Sequence, residues 1–235
     1  MKAAVLTRAC PVCGAENDDL AVVCTSCKGY TQAKVDTLDL FQTIWGLIES
    51  PSATFRRIAL AGSKNYVVML TAAFGIALAY GLLWHGNVGV RIPQLATILG
   101  IGLLAGPVLG AILFFVLSRI LTIVTPIGGR KVNGRNARAL LAYSAVPIVL
   151  SLVLVFPIEI AVFGVYLFDT NPPPMVLNPM AYIVLVGLDA LAVLWSAFLV
   201  WTGIRVMAGS SWWFALLLGA GCVAAMLALF LVPFR

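Results

Sequence analysis

The residues of this chain best suited to chemistry are four cysteines near its N-terminus, arranged as two Cys-x-x-Cys pairs. The pairs are Cys10 with Cys13, and Cys24 with Cys27. Each pair can fold into a tight knuckle that directs two thiolates at one metal ion. Gly14 follows the first pair and Gly29 comes soon after the second, and glycine tolerates the positive φ that such turns tend to need. The spacing therefore predicts a four-sulfur metal site.

A metal ion with four cysteine ligands has no open coordination position, so the predicted site is structural and not catalytic. The cofactor we expect is structural zinc, and residues 1–35 resemble a short zinc ribbon of the kind found at the ends of many microbial proteins. Iron in a rubredoxin-like site is the rival interpretation, and a pair of disulfides is the third. A segment of this length buries little core, so metal binding would supply most of its folding energy.

The composition of the chain is that of a membrane protein. Hydrophobic residues make up 62% of it and charged residues only 10%, with a mean hydropathy of +1.04. A soluble domain is closer to half apolar and one quarter charged. The net charge of +6 does not indicate nucleic-acid binding, because the cations are scattered between apolar runs and not gathered on one domain.

Apolar runs long enough to cross the bilayer predict an all-α polytopic membrane protein with five transmembrane helices. The predicted membrane domain covers residues 66–235, and its spans are 66–84, 95–125, 139–168, 180–206 and 212–232. Kinks are expected at Pro107, Pro147 and Pro157.

The distribution of Lys and Arg predicts which way the chain crosses the membrane. Of the 15 cations, only Arg91 and Arg235 fall on the side opposite to the predicted head. The positive-inside rule therefore places the N-terminus in the cytosol and the C-terminus outside. The most cationic loop joins the second and third spans, and we expect it to bind anionic lipid through Arg130, Lys131, Arg135 and Arg138.

Residues 36–65 are predicted to lie at the membrane surface. Apolar residues recur at helical spacing from Leu40 to Ile48, which indicates an amphipathic helix in the interface. Ser50 and Pro51 then form a helix start, which predicts a second short helix.

Two acids, Glu159 and Asp189, lie deep in the third and fourth predicted spans. Because these spans form an antiparallel hairpin, the two carboxyl groups should fall at similar depth. One interpretation is a proton, cation or lipid-headgroup site, since ionisable groups in the bilayer often serve transport. The other is a hydrogen-bonded pair that holds two helices together.

Gly102, Gly106 and Gly110 form a small-residue stripe on the second span, which indicates close helix packing either inside the bundle or between two copies in a homo-oligomer.

The single histidine, His85, has no metal-ligating partner in the pattern of an intramembrane protease. The sequence therefore predicts a protein that is not an enzyme.

Two short segments of the membrane part resemble the Yip domain, a family of Ypt/Rab-interacting polytopic membrane proteins. They are Ile48–Ile58, ahead of the first span, and Arg138–Pro147, which follows Gly129 and the basic loop. The resemblance covers about residues 39–235 and implies a non-enzymatic protein with five spans and a cytosolic N-terminus. A zinc ribbon fused ahead of such a domain looks prokaryotic, which implies the cytoplasmic (inner) membrane.

Two functions follow as hypotheses. The first is a membrane adaptor or scaffold whose cytosolic zinc ribbon recruits a protein partner, while the basic loop binds membrane lipid. The second is a permease or lipid-handling protein that uses Glu159 and Asp189.

Overall fold

A computed structural model of the protein describes residues 7–32 and 37–227, with side chains to residue 226. It divides into two compact units, each built from several stretches of the chain. Among the described residues, the first unit contains 7–32, 37–67, 117–141 and 199–219, and the second contains 68–116, 142–198 and 220–227.

The head in the first unit is a small β-hairpin carrying two cysteine turns. Strands β1 (Thr7–Ala9) and β2 (Glu16–Asp18) pair antiparallel, with Arg8 opposite Asn17. Both cysteine turns close with the same kind of backbone hydrogen bond, from an N–H to the carbonyl oxygen four residues earlier. Gly14 N donates to Cys10 O at 2.9 Å, and Lys28 N donates to Cys24 O at 3.2 Å.

Two short helices follow the head. Helix α1 (Leu40–Glu49) begins at Asp39, whose side chain accepts from Gln42 N at 2.8 Å, and helix α2 (Pro51–Leu60) begins with proline at its first position after Ser50. Phe55 of α2 is fully buried in the first unit. A Cβ on Gly203 would lie 3.2 Å from Phe55, so the missing side chain leaves room for that ring.

The predicted all-α polytopic fold is confirmed. Among the described residues, four helical segments are long and apolar enough to cross a membrane. They are α3 (Val67–His85), α4 (Leu95–Gly128), the segment Gly134–Phe168 and α9 (Pro179–Ala208). A fifth apolar helix, α10 (Trp212–Leu227), is shorter, and the predicted end of the fifth span lies outside the described residues.

Proline breaks the third of these segments into pieces. Helix α5 (Gly134–Ser144), α6 (Val146–Leu154) and α7 (Phe156–Phe163) are followed by a 3-10 turn (Gly164–Phe168). The breaks fall one or two residues before Pro147 and Pro157, since proline has no N–H for the helical ladder. Helix α4, by contrast, runs through Pro107 without interruption. A short helix, α8 (Pro174–Leu177), precedes α9.

The glycine stripe of α4 packs against α3 within the second unit. A Cβ on Gly106 would lie 2.5 Å from Ile76 Cα, and one on Gly110 would overlap the Thr71 carbonyl oxygen. Gly102 faces the ring of Tyr80, whose hydroxyl donates to Leu99 O at 2.9 Å. The stripe therefore serves contact between two helices of one chain.

Replacing Gly106 by valine should separate α3 from α4, because the new side chain would occupy the space of the Ile76 backbone. We expect a loss of roughly 1–3 kcal/mol, measured as a lower midpoint of thermal unfolding in detergent. Gly100 on the same helix has nothing within 4 Å of its Cβ position, so Gly100→Val is the matched control. Equal midpoints for the two variants would contradict this packing.

Candidate functional site

The four cysteine thiols of the head converge on one point. Their sulfur atoms all lie within 4.8 Å of one another, with Cys10 3.7 Å from Cys27 and Cys13 3.6 Å from Cys24. A tetrahedral zinc ion with Zn–S bonds of about 2.3 Å has its sulfurs about 3.8 Å apart. The donor set and its spacing fit zinc, which would supply folding energy to the head when bound.

The two cysteine turns differ in which residue takes the left-handed backbone conformation. Gly14 takes the left-handed conformation in the first turn, with φ +73°, as its position predicts. In the second turn Lys28 takes it, with φ 60°, and not Gly29 as the sequence suggested. Gly29 is needed for space instead, because its Cβ would lie 3.2 Å from Val12 and 3.3 Å from the Cys27 sulfur.

A buried asparagine that sequence reasoning missed joins the two turns. Asn17 Nδ2 donates to Ala15 O at 2.8 Å and to the Cys24 sulfur at 3.4 Å. Its Oδ1 accepts from both the backbone N–H and the hydroxyl of Thr25, at 2.8 and 3.0 Å. Asn17 therefore orients the Cys24 thiol and fixes the turn that carries it, which is the position an outer-shell partner of a metal ligand would take.

The thiols of the cluster differ in their affinity for protons. The Cys27 backbone N–H is the main cause that lowers the pKa of the Cys24 thiol to about 6. For Cys27, a hydrogen bond from Gly29 N–H lowers the pKa, but the neighbouring thiols outweigh it and raise the pKa to about 12. At neutral pH the cluster thus holds a mixture of thiolate and thiol. Metal binding must displace the remaining protons, so the metal affinity should fall steadily as the pH is lowered.

Replacing Asn17 by alanine should weaken metal binding about 10- to 100-fold, because it removes the donor to Cys24 and the acceptor for Thr25. Asn17→Asp should weaken it more, since it places a carboxylate beside the thiolates. The measurement is competition for zinc against a chromogenic chelator. Glu16→Ala, at an exposed neighbouring position, is the control and should bind as the parent does.

The first cation of the basic loop reaches across to the head. Arg130 Nη1 donates to Asp18 Oδ1 at 2.7 Å and also to Asp19 Oδ1, at positions 112 and 111 residues away in sequence. Arg56 also binds Asp19: its Nη1 lies 3.5 Å from Asp19 Oδ2, and its Nη2 donates to Asp19 O at 2.9 Å. The Asp19 side chain is only 11% exposed. We call these four residues, Asp18, Asp19, Arg56 and Arg130, the docking contact.

Arg130 also completes the end of α9. The last carbonyls of a helix have no partner within it. Arg130 Nε donates to Met207 O at 2.8 Å, Nη2 donates to Val206 O at 2.9 Å, and its backbone N donates to Ala208 O at 2.7 Å. A Cβ on Gly129 would overlap the Ala208 oxygen, so glycine there permits the approach. One guanidinium thus binds the head and caps a transmembrane helix.

The other three predicted loop cations, Lys131, Arg135 and Arg138, are exposed, but only Lys131 lies in the loop, because helix α5 already begins at Gly134. Arg135 donates to Gly62 O just beyond α2, and Arg138 Nε donates to Gly134 O at 3.3 Å. Lys64 Nζ donates to Ile58 O at 2.6 Å nearby, and burial, together with Arg135, lowers the pKa of Lys64 to about 8. This part of the loop remains open to an anionic surface.

The two intramembrane acids meet within the second unit. The side chains of Glu159 and Asp189 are close enough to hydrogen-bond, and Ser151 donates to Asp189 Oδ1. Ser151 and Glu159 would be about 12 Å apart along a straight helix. Asp189 lies near both because the helix breaks between them, at Val155. The proline kink therefore builds the cluster.

Long apolar helices and a small cysteine-rich head define the class of this protein as a multi-pass membrane protein with a four-cysteine cluster that could hold a metal ion. The family model described as "Yip1 domain" matches residues 45–232, and the chain belongs to this family. It is thus a membrane protein of the Yip trafficking-type family, whose members interact with Rab/Ypt proteins and are not known as enzymes. No curated protein and no solved structure matches the chain.

Proposed function

We propose that this protein is a membrane adaptor or scaffold whose zinc ribbon recruits a protein partner. The observation that carries the proposal is the way the docking contact holds the ribbon. The acidic side of the ribbon is bound by Arg56 and Arg130. Two apolar side chains at the cysteine turns, Val12 and Tyr30, are 71% and 64% exposed. An apolar surface held in a fixed position suits recruitment of a protein.

We propose one orientation of the chain across the membrane. The cation distribution supports a cytosolic ribbon and basic loop with the C-terminus outside, in a prokaryotic cytoplasmic (inner) membrane. Helix α1 would lie in the interface, because its exposed face carries Phe41, Trp45 and Ile48, which are 82%, 62% and 55% exposed. Lys131, Arg135 and Arg138 would then bind anionic headgroups.

The adaptor role is tested by crosslinking in membranes that carry the full chain, followed by identification of captured proteins. A partner captured by the parent should be lost from the Val12→Ser/Tyr30→Ser double variant and kept by Ser26→Ala, an exposed control on the same turns. Both variants should keep their zinc, since neither changes a cysteine. Identical captured proteins from the parent and the double variant would overturn the proposal.

The acid cluster supports a second function, a permease or lipid-handling protein. The supporting observation is that Asp189 of α9 accepts a hydrogen bond from Ser151 and lies near Glu159, so that three polar groups gather beside the kink of an apolar segment. If the cluster carries a proton or cation, Glu159→Gln with Asp189→Asn should abolish flux in proteoliposomes, while Glu49→Gln, outside the spans, leaves it unchanged. Unaltered flux in a folded double variant would leave the cluster a purely structural role.

A further inference from the structure

The docking contact ties the metal site to a transmembrane helix through a short chain of bonds. Asn17 contacts the ligand Cys24 and lies in strand β2, whose last residue is Asp18. Asp18 and the adjacent Asp19 both bind Arg130, and Arg130 binds the carbonyl oxygens of Val206 and Met207 at the end of α9. Every step is a direct contact.

The first contact of this chain of bonds, between Cys24 and Asn17, would depend on bound metal. The described part of the head has two three-residue strands and five buried residues, and none of the five is a large apolar side chain: Cys10, Asn17, Asp19, Cys24 and Thr31. Such a segment depends on metal binding for its fold. Without the metal, Asp18 and Asp19 would no longer be fixed opposite Arg130, and the ion pairs would lose their geometry.

The second step depends on charge balance at Arg130. Its side chain is 20% exposed, and its guanidinium donates to two carboxylates and two backbone carbonyls. A partly buried cation is stable when it is paired with opposite charge and costly when it is not. Loss of Asp18 and Asp19 would therefore favour movement of Arg130 toward water and away from the end of α9.

We propose that the ribbon is a metal-responsive device, in which loading of a thiophilic divalent cation, with zinc as the best fit, is transmitted through Asp18, Asp19 and Arg130 to the end of α9. In the metal-loaded state α9 is capped, and in the metal-free state its last turn frays. This role goes beyond partner recruitment and does not require it.

The test is hydrogen exchange of the full chain in lipid nanodiscs, with zinc and with a zinc chelator. Chelation should speed exchange of the amides of residues 205–208 and of Arg130 by 10-fold or more, although these residues are remote in sequence from the cysteines. Amides in the middle of α9, such as Leu191 to Leu194, should not change and serve as the internal control.

A variant that keeps the metal but lacks the contact separates this device from simple unfolding of the head. Asp18→Asn/Asp19→Asn should still bind one zinc per chain, yet show fast exchange at residues 205–208 with zinc present and no further response to the chelator. Two results would overturn the proposal: exchange at residues 205–208 that ignores the chelator in the parent, or a chelator response in the double variant equal to that of the parent. Neither result depends on a partner protein.

Discussion

Replacing Cys24 by serine is expected to abolish stoichiometric zinc binding and to unfold the head. Cys24 is fully buried and its sulfur faces that of Cys13 at 3.6 Å, so a serine hydroxyl would remove one of four thiolates from a closed site. Zinc binding in small peptides of this kind is worth about 10–16 kcal/mol, and most of that stabilisation would be lost. Zinc content per chain and protease cleavage within residues 7–32 are the measurements.

The fifth cysteine supplies the control for this experiment. Cys222 is buried in α10 and does not belong to the cluster, so Cys222→Ala should keep one zinc per chain and an intact head. If Cys24→Ser retained zinc at the parent level, or if Cys222→Ala lost it, the assignment of the ligands would be wrong. Iron in the purified chain would redirect the assignment toward a rubredoxin-like site.

Replacing Arg130 by methionine is expected to cause the largest loss of stability among single changes outside the cluster. Methionine fills similar space but leaves the buried Asp19 without one of its two arginines and leaves Val206 O and Met207 O without their donor. Breaking a buried ion pair costs about 3–5 kcal/mol, and the partial exposure of Arg130 points to the lower end of that range. Thermal unfolding in detergent measures it.

Two companion variants make the Arg130 result specific. Lys131→Met removes a neighbouring but exposed cation and should change stability by less than about 0.5 kcal/mol. Arg130→Lys should fall between the parent and Arg130→Met, because an ammonium group keeps the charge but cannot replace the fork of the guanidinium. Equal losses for Arg130→Met and Lys131→Met would contradict the role of the docking contact.

Features set by local spacing could be predicted from the sequence. The cysteine cluster depends on two four-residue motifs separated by ten residues, and the structure brings all four sulfurs together. The long helices follow from apolar runs, and the helix breaks near Pro147 and Pro157 follow from the missing N–H. The positions of Glu159 and Asp189 along their spans also predicted that the two carboxyl groups fall at similar depth, and the structure brings them near each other.

Features set by distant pairing could not be predicted. In the sequence Arg130 is one of four similar cations, and nothing local distinguishes it from Lys131. Its acids lie more than a hundred residues earlier, in a head whose position on the helices the sequence does not give. The same applies to Ser151, whose contact with Asp189 depends on how the kink turns the helix.

A double-mutant cycle between Asp19 and Arg130 tests most directly the claim that the ribbon is held on the membrane helices by the docking contact. The parent, Asp19→Asn, Arg130→Met and the double variant are compared by reversible unfolding of the zinc-loaded full chain. Because the two side chains are in direct contact, we expect an interaction energy of about 1.5–3 kcal/mol. Additive losses, within about 0.5 kcal/mol, would show that the ribbon does not use this contact and would contradict the account.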